Sequence, residues 1–293
     1  MKVGAQFADY AWRGGPPAMG ETLAEMARAA DEFGFDLIGM ADHLWQAPHV
    51  GGPVAPELEC FTSLGVIAAN TRRVRLVPIV AGVHLRPPAA LAKAITTLDV
   101  LSGGRGMLGI GAGWYEAEAR GMGVPFPPLA ERFAMLEETL QICLRLWDGE
   151  QGDEQPYIGQ HYQLERPLNV PQSLTRPHPP ILIGGGGEQK TLRLVARYGD
   201  ACNLYPTPDL AHKLEVLRQR CAEEGRDYDT IEKTCMERFD VASDETQIRD
   251  LIDRLRRLAD LGIETVIGII PGQDPVSVLK VVGEKVIPAV ARW

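Results

Sequence analysis

Apolar positions along this chain switch between two periods. Short runs of strand character fall at residues 3–7, 37–41, 74–80, 107–110, 181–183, 201–204, 235–241 and 265–270. Between them apolar residues recur at helical spacing: Leu23, Met26, Ala27, Ala30 and Phe33, then Phe61, Leu64, Ile67 and Ala68, then Leu91, Ala94, Ile95, Leu98 and Leu101. Phe133, Leu136, Leu140, Cys143, Leu144 and Trp147 continue the series, followed by Leu192, Val195 and Ala196, then Leu210, Leu214, Leu217 and Cys221. Ile248, Leu251, Ile252 and Leu255, and lastly Val276, Leu279 and Val286, complete it. Strand and helix alternate eight times. This predicts an α/β fold, a closed (β/α)8 TIM barrel, with an open doubly wound sheet and subdomain as the alternative, since counting elements does not require closure.

Punctuation agrees with these boundaries. Gly34 ends the first helix, Pro87 and Pro88 open the third, and Gly103 with Gly104 follow it. The loops after strands are long at 8–20, 42–59 and 111–130, while the links from helix to strand are mostly short. A barrel builds its active site from the loops after strands, so this asymmetry marks one rim. Residues 149–180, with Tyr157, Tyr162 and several prolines, predict an insertion carrying a small hairpin or lid before the fifth strand. Residues 1–293 are expected to form a single domain.

A chain of 293 residues with 45% hydrophobic content can bury one large core. Its net charge of −9 argues against nucleic acid or an anionic membrane as partner. Any anion must therefore be caught locally. The chain enters a strand-like run at once, with no secretory signal pattern and no long uninterrupted apolar stretch, so a cytoplasmic protein is expected. Cys60, Cys143, Cys202, Cys221 and Cys235 lack metal-ligand or disulfide spacing and read as free buried thiols, with no metal site expected. A homodimer is a further expectation, resting on analogy with barrels of this kind alone.

The apolar run Ile181, Leu182, Ile183 leads into four consecutive glycines, Gly184, Gly185, Gly186 and Gly187, and then into a helix expected to open at Glu188, Gln189 and Lys190. Glycines let backbone N–H groups approach an anion, and a helix start adds unpaired donors, so this is the form of a phosphate cradle. The alternative is a mobile glycine loop or a helix start that needs room. Lys190 and Arg193 stand where either could reach a bound anion. Arg72, Arg73, Arg75 and Arg105 precede their strands and belong to the opposite, stability face.

The second strand delivers Asp42 and His43 to the rim. An imidazole titrates near neutrality and can pass a proton to or from a substrate oxygen, which makes His43 the best acid–base candidate; a surface histidine beside an aspartate that satisfies backbone donors is the alternative. His84, between Val83 and Leu85, reads as pocket wall. The fourth strand ends in Gly109, Ile110, Gly111, Ala112, Gly113 and Trp114, where glycines allow a flat ring to lie against the backbone or, alternatively, permit tight barrel packing. Tyr10, Trp12, Trp45, Trp114 and Tyr115 all fall on rim loops and suit a large planar ligand.

Three segments, FDLIGMADHL (35–44), LDVLSGGRGMLGIGAGW (98–114) and PILIGGGGEQKTLRLVARYGDACN (180–203), resemble the bacterial luciferase-like superfamily, and within it the oxidoreductases dependent on coenzyme F420. The resemblance spans most of the chain and implies a (β/α)8 barrel with an insertion before the fifth strand. It implies that Gly184 to Gly187 hold the cofactor phosphate, that His43 is the family's histidine after the second strand, and that Asp42 precedes it as in deazaflavin-dependent members. It further implies a non-prolyl cis peptide at Ile79–Val80 behind the ring system, with Gly111, Gly113 and Asn203 also toward the cofactor. Sugar-phosphate dehydrogenases of this group carry a glutamate straight after the fourth strand's glycines. Here that place holds Trp114, with Glu116 and Glu118 the nearest carboxylates, which implies a less polar substrate. The implied activity is hydride exchange between F420 and a small organic substrate, with His43 as proton donor or acceptor, oriented by Asp42 or a loop carbonyl. The same motifs accommodate FMN in a flavin monooxygenase, or a non-catalytic barrel that binds the cofactor.

Overall fold

The computed structural model describes residues 1–242 and 244–293. The chain opens with β1 (Lys2–Phe7), α1 (Met19–Glu32), β2 (Leu37–Met40), α2 (Cys60–Asn70), β3 (Arg75–Pro78), β4 (Ala81–Gly82) and α3 (Pro88–Ser102). It continues through β5 (Leu108–Gly111), α4 (Glu116–Gly121), α5 (Leu129–Leu146) and a hairpin of β6 (Tyr157–Ile158) and β7 (Gln163–Leu164). Next come β8 (Ile181–Gly184), α6 (Thr191–Tyr198), β9 (Ala201–Leu204), α7 (Leu210–Glu224), β10 (Glu232–Arg238), α8 (Glu245–Asp260), β11 (Thr265–Ile270), α9 (Pro275–Val281) and α10 (Ile287–Val290).

Every pairing in the nine-stranded sheet is parallel, in the order β3-β2-β1-β11-β10-β9-β8-β5-β4. Its two ends are consecutive pieces of one stave. Leu76 of β3 bridges to Gly106, just before β5, while Ala81 of β4 pairs with Ile110, and this brings the sheet round into a barrel. The expected run 74–80 holds only β3, which stops at Pro78; pairing resumes in β4 at Ala81, beyond the Ile79–Val80 peptide bond, which is cis. Alternation along each strand sorts side chains into two layers. Leu37, Val77, Met107, Leu182, Ala201, Met236 and Ile267 pack together as one cluster, whereas Ile38, Leu76, Leu108, Ile183, Cys202 and Val266 join a larger one with the helices.

Two expected helices begin or end differently. α6 starts at Thr191, not Glu188, because residues 188–190 form a turn in which the Gly187 carbonyl already accepts the Leu192 N–H. The last helix is broken by a π-helical turn, Val282–Val286, before α10. Pro288 sits in the first turn of α10 and has no N–H to continue the ladder.

Residues between α5 and β8 are anchored on the outside of the barrel. Glu138 of α5 accepts N–H bonds from Gln160, His161 and Tyr162 at the hairpin tip, and buried Asp99 of α3 accepts from Leu174, Thr175 and the Thr175 hydroxyl. The hairpin therefore rides on the flank of α5. At the strand N-termini, Arg75 pairs with Asp36 and Glu232, and Arg105 donates to the carbonyls of Val74 and Ala68. Those guanidiniums bind the closed end together. All five cysteines are buried and unpaired, and among the described residues no helix is long and apolar enough to cross a membrane.

Candidate active site

Adjacent residues at a strand end point to opposite sides, and this separates Asp42 from His43. His43 Nδ1 lies 3.2 Å from both oxygens of Glu118, a buried residue of α4. Asp42 turns the other way, 2.5 Å from Nη1 of Arg86, which also holds Glu59 at 2.7 Å. The imidazole, expected to be oriented by Asp42 or a loop carbonyl, is held by Glu118 instead. Glu118 Oε1 also accepts the N–H groups of Leu44 at 2.6 Å and Trp45 at 3.0 Å. Burial alone would raise its pKa, but the bonds from His43, Trp45 and Leu44 hold it below the usual carboxylate value. An ionised Glu118 accepts a hydrogen bond from Nδ1–H and leaves Nε2 as the nitrogen free to exchange a proton. Burial pushes Asp42 upward, against the pull of Arg86.

Trp114 and Tyr115 form an aromatic shelf beside this pair. Their rings stack with centroids 4.9 Å apart, and His43 meets them edge-on at 5.4 and 5.9 Å. Trp114 is 55% exposed, so one face of the shelf is open to a ligand.

The glycine turn lies across the rim. Gly185 donates to the Asn203 carbonyl and has φ 119, a conformation that favours glycine. The amides of Gly186 and Gly187 have no intramolecular partner among the described residues. Lys213 of α7 reaches over the turn, with Nζ 3.1 Å from the Gly186 carbonyl and 3.0 Å from Asp209. The expected cations face elsewhere: Lys190 stands over the Phe133 ring and Arg193 pairs with Glu224. Free amides, a helix start and one cation fit a phosphate.

Val80 wedges between two of the expected glycines. A Cβ added at Gly111 or Gly184 would come within 2.9 Å of its side chain, and one at Gly39 within 2.5 Å of Ile79. Gln6 donates from β1 to the Ile79 carbonyl at 3.2 Å. Gly113, with φ 77, lies against the His84 ring. The Asn203 side chain is buried, with Oδ1 accepting from the Thr234 hydroxyl at 2.8 Å. These groups bring the flat, Cβ-free wall of the rim and the glycine turn onto one edge of the sheet, which fits a planar ring system with a phosphate arm.

Three rim loops also bury polar side chains without partners. Trp12 Nε1, both Glu57 oxygens and both His84 nitrogens are shut from water and make no hydrogen bond among the described residues. Burial, then the charges of Glu118 and Asp42, push the Glu57 carboxyl up to about 9. Burial, then Arg132, pull the His84 imidazole down to about 4, so both groups are neutral near pH 7.

Glu118, Lys213, Gln6, Arg86 and Glu57 are not singled out by sequence pattern as site residues. A signal for Glu118 exists: Glu116 and Arg120 form an i,i+4 pair on the exposed side of α4, which leaves Glu118 on the inward side. Lys213 lies on a different helix from the turn it covers, and no spacing connects them.

The family model for luciferase-like monooxygenase matches residues 6–267. An F420-dependent glucose-6-phosphate dehydrogenase of Nakamurella multipartita is 32% identical over 286 residues, covering 92% of this chain and 78% of that protein. Among solved structures, an F420-dependent secondary alcohol dehydrogenase in complex with an F420–acetone adduct superposes with TM-score 0.80 at 18% identity, covering 99% of each chain. A riboflavin lyase with modified FMN and riboflavin gives TM-score 0.81 at 16% identity, covering 100% of this chain and 91% of that one. At such identities the structural likeness speaks for the fold alone.

Proposed function

The chain belongs to the luciferase-like monooxygenase family, and from that premise we propose that it is an F420-dependent oxidoreductase that moves a hydride between the deazaflavin and a small organic substrate, with His43 giving or taking the proton. The observation that carries this reading is the shared rim: the His43–Glu118 pair follows β2, and the glycine turn with two unbonded amides follows β8 of the same barrel. The F420-dependent relative at 32% identity supports the cofactor. We treat residues 1–293 as one barrel domain with an insertion at about 149–180.

Bound F420 supplies two-electron hydride chemistry, and the protein supplies position and one proton path. Gly184, Gly185, Gly186 and Gly187 with the start of α6 would hold the phosphate, assisted by Lys213. Ile79, Val80, Gly111 and Gly113 would support the ring system, and the amide nitrogen of Asn203 would donate to it. Glu118 keeps His43 in the tautomer that exchanges a proton at Nε2. Asp42 acts through Arg86 to hold the loop that carries Glu59. Trp114 and Tyr115, stacked beside His43, would flank a bound ring system and narrow the access of water to it.

The test is a titration of the purified protein with F420 and with FMN, followed by hydride exchange across alcohols, carbonyls and alkenes. His43→Ala should leave the F420 dissociation constant nearly unchanged and lower turnover by about 10²–10⁴-fold. Unchanged turnover would remove His43 from the mechanism. Tighter FMN than F420 would favour the flavin monooxygenase reading, to which the FMN-bearing neighbour lends its fold. Tight F420 binding with no exchange in any class would favour a non-catalytic barrel.

A further inference from the structure

Partnerless buried polar groups are rare in folded proteins, and here they gather at one place. Among the described residues, six buried side-chain atoms lack a partner, and five of them belong to Trp12, Glu57 and His84. These residues follow β1, β2 and β4, so all three loops meet the same rim. Glu57 feels the charges of Glu118 and Asp42, and His84, packed against Gly113 and Phe126, feels those of Arg132, Glu118 and His43.

The basic side chains nearby are already committed. Arg86 is held by Asp42 and Glu59, and the Nδ1 of His43 by Glu118. Arg132 donates to the Ala112 and Gly113 carbonyls. Nothing charged is left to pair with Glu57, so it keeps its proton and offers one O–H donor and one C=O acceptor. Tyr10 and Cys60, which also feel Glu57, are buried, and burial raises the pKa of both, so both stay neutral beside it.

We propose that Glu57 is a substrate-contact residue whose carboxylic acid hydrogen-bonds the oxygen of an uncharged alcohol or carbonyl compound, and that the carboxylates of Asp42, Glu59 and Glu118 around it turn anionic substrates away. The inference rests on the oxidoreductase reading in taking that compound to be the substrate. Both Glu57 oxygens are shut from water, so the ligand meets them by displacing what covers them.

The test uses ligand-observed saturation-transfer NMR on the purified protein, with cyclohexanol and cyclohexanone as uncharged probes and glucose 6-phosphate as the anionic one. Three proteins are compared: wild type, Glu57→Gln, which keeps a donor and an acceptor, and Glu57→Met, which fills the space without either. Melting curves confirm that each variant folds. The uncharged probes should bind wild type and Glu57→Gln alike and Glu57→Met about fivefold more weakly. Glucose 6-phosphate should give no competing signal. Equal affinity in wild type and Glu57→Met, no binding of either uncharged probe to wild type, or tighter binding of glucose 6-phosphate would overturn the proposal. F420 titrated into the same samples reads the oxidoreductase proposal separately, since its failure to bind leaves the probe comparison intact.

Discussion

Replacing Glu57 with glutamine should stabilise the protein, and by more as the pH rises. The carboxyl has an ordinary value of 4.5 and is pushed up to about 9 in the fold, by burial first and then by Glu118 and Asp42. Between those limits the folded protein keeps a proton that the unfolded chain releases. Stability is therefore highest below about pH 4.5, falls as the pH climbs, and levels off above about 9. Each unit in that window is worth up to about 1.4 kcal/mol, so the ceiling between pH 5 and pH 8 is roughly 4 kcal/mol. Local relaxation around a newly charged carboxylate takes back a share of this, and about 2 kcal/mol is the expected change. Glutamine does not titrate. Urea denaturation of both proteins at pH 5 and pH 8 measures the effect as the change in their stability difference between the two conditions. A difference constant with pH would show that Glu57 ionises normally, and with it would go the argument that a neutral acid stands at the rim.

Glu118→Ala removes the acceptor shared by His43, Leu44 and Trp45, and should lower stability by about 2–3 kcal/mol, seen as an earlier urea midpoint with an unchanged slope. Lys213→Ala takes away the cation over the glycine turn and should weaken F420 binding about tenfold at low salt, a loss that shrinks as salt is added; fluorescence titration at two ionic strengths decides it. Glu232 lies at the N-terminal end of β10, where burial would raise its pKa but Arg75 and Thr265 pull it down to about 2 from an ordinary 4.5. Its contribution is present above about pH 4.5 and is lost as the pH falls towards 2, so Glu232→Gln should cost about 2 kcal/mol at pH 7 and nothing near pH 2 in acid-denaturation curves.

The barrel was legible because each strand buries both faces in a fixed alternation, and each helix presents one stripe to the sheet. Leu182 and Ile183 are neighbours in the sequence yet join different clusters, and that simple geometry repeats around the ring. Where backbone conformation overrides apolarity, the pattern fell short. Residues 74–80 read as one strand although β3 stops at Pro78 and pairing resumes only at Ala81, and the apolar stripe Val276, Leu279 and Val286 gave no sign of the π-helical turn at Val282–Val286.

The site divides along the same line. His43 and the glycine turn were visible because their places depend on the strands that carry them: a residue after a strand must reach the rim. Glu118 and Lys213 were not assigned because each arrives from a helix, α4 or α7, and reaches its partner only when helices pack around the sheet. Asp42 shows the converse. Its position beside His43 in the chain suggested partnership, yet alternation at the strand end aims the two carboxylate and imidazole groups apart, to Arg86 and to Glu118. Strand ends thus set which groups reach the mouth, and the surrounding helices set the charge state in which those groups work.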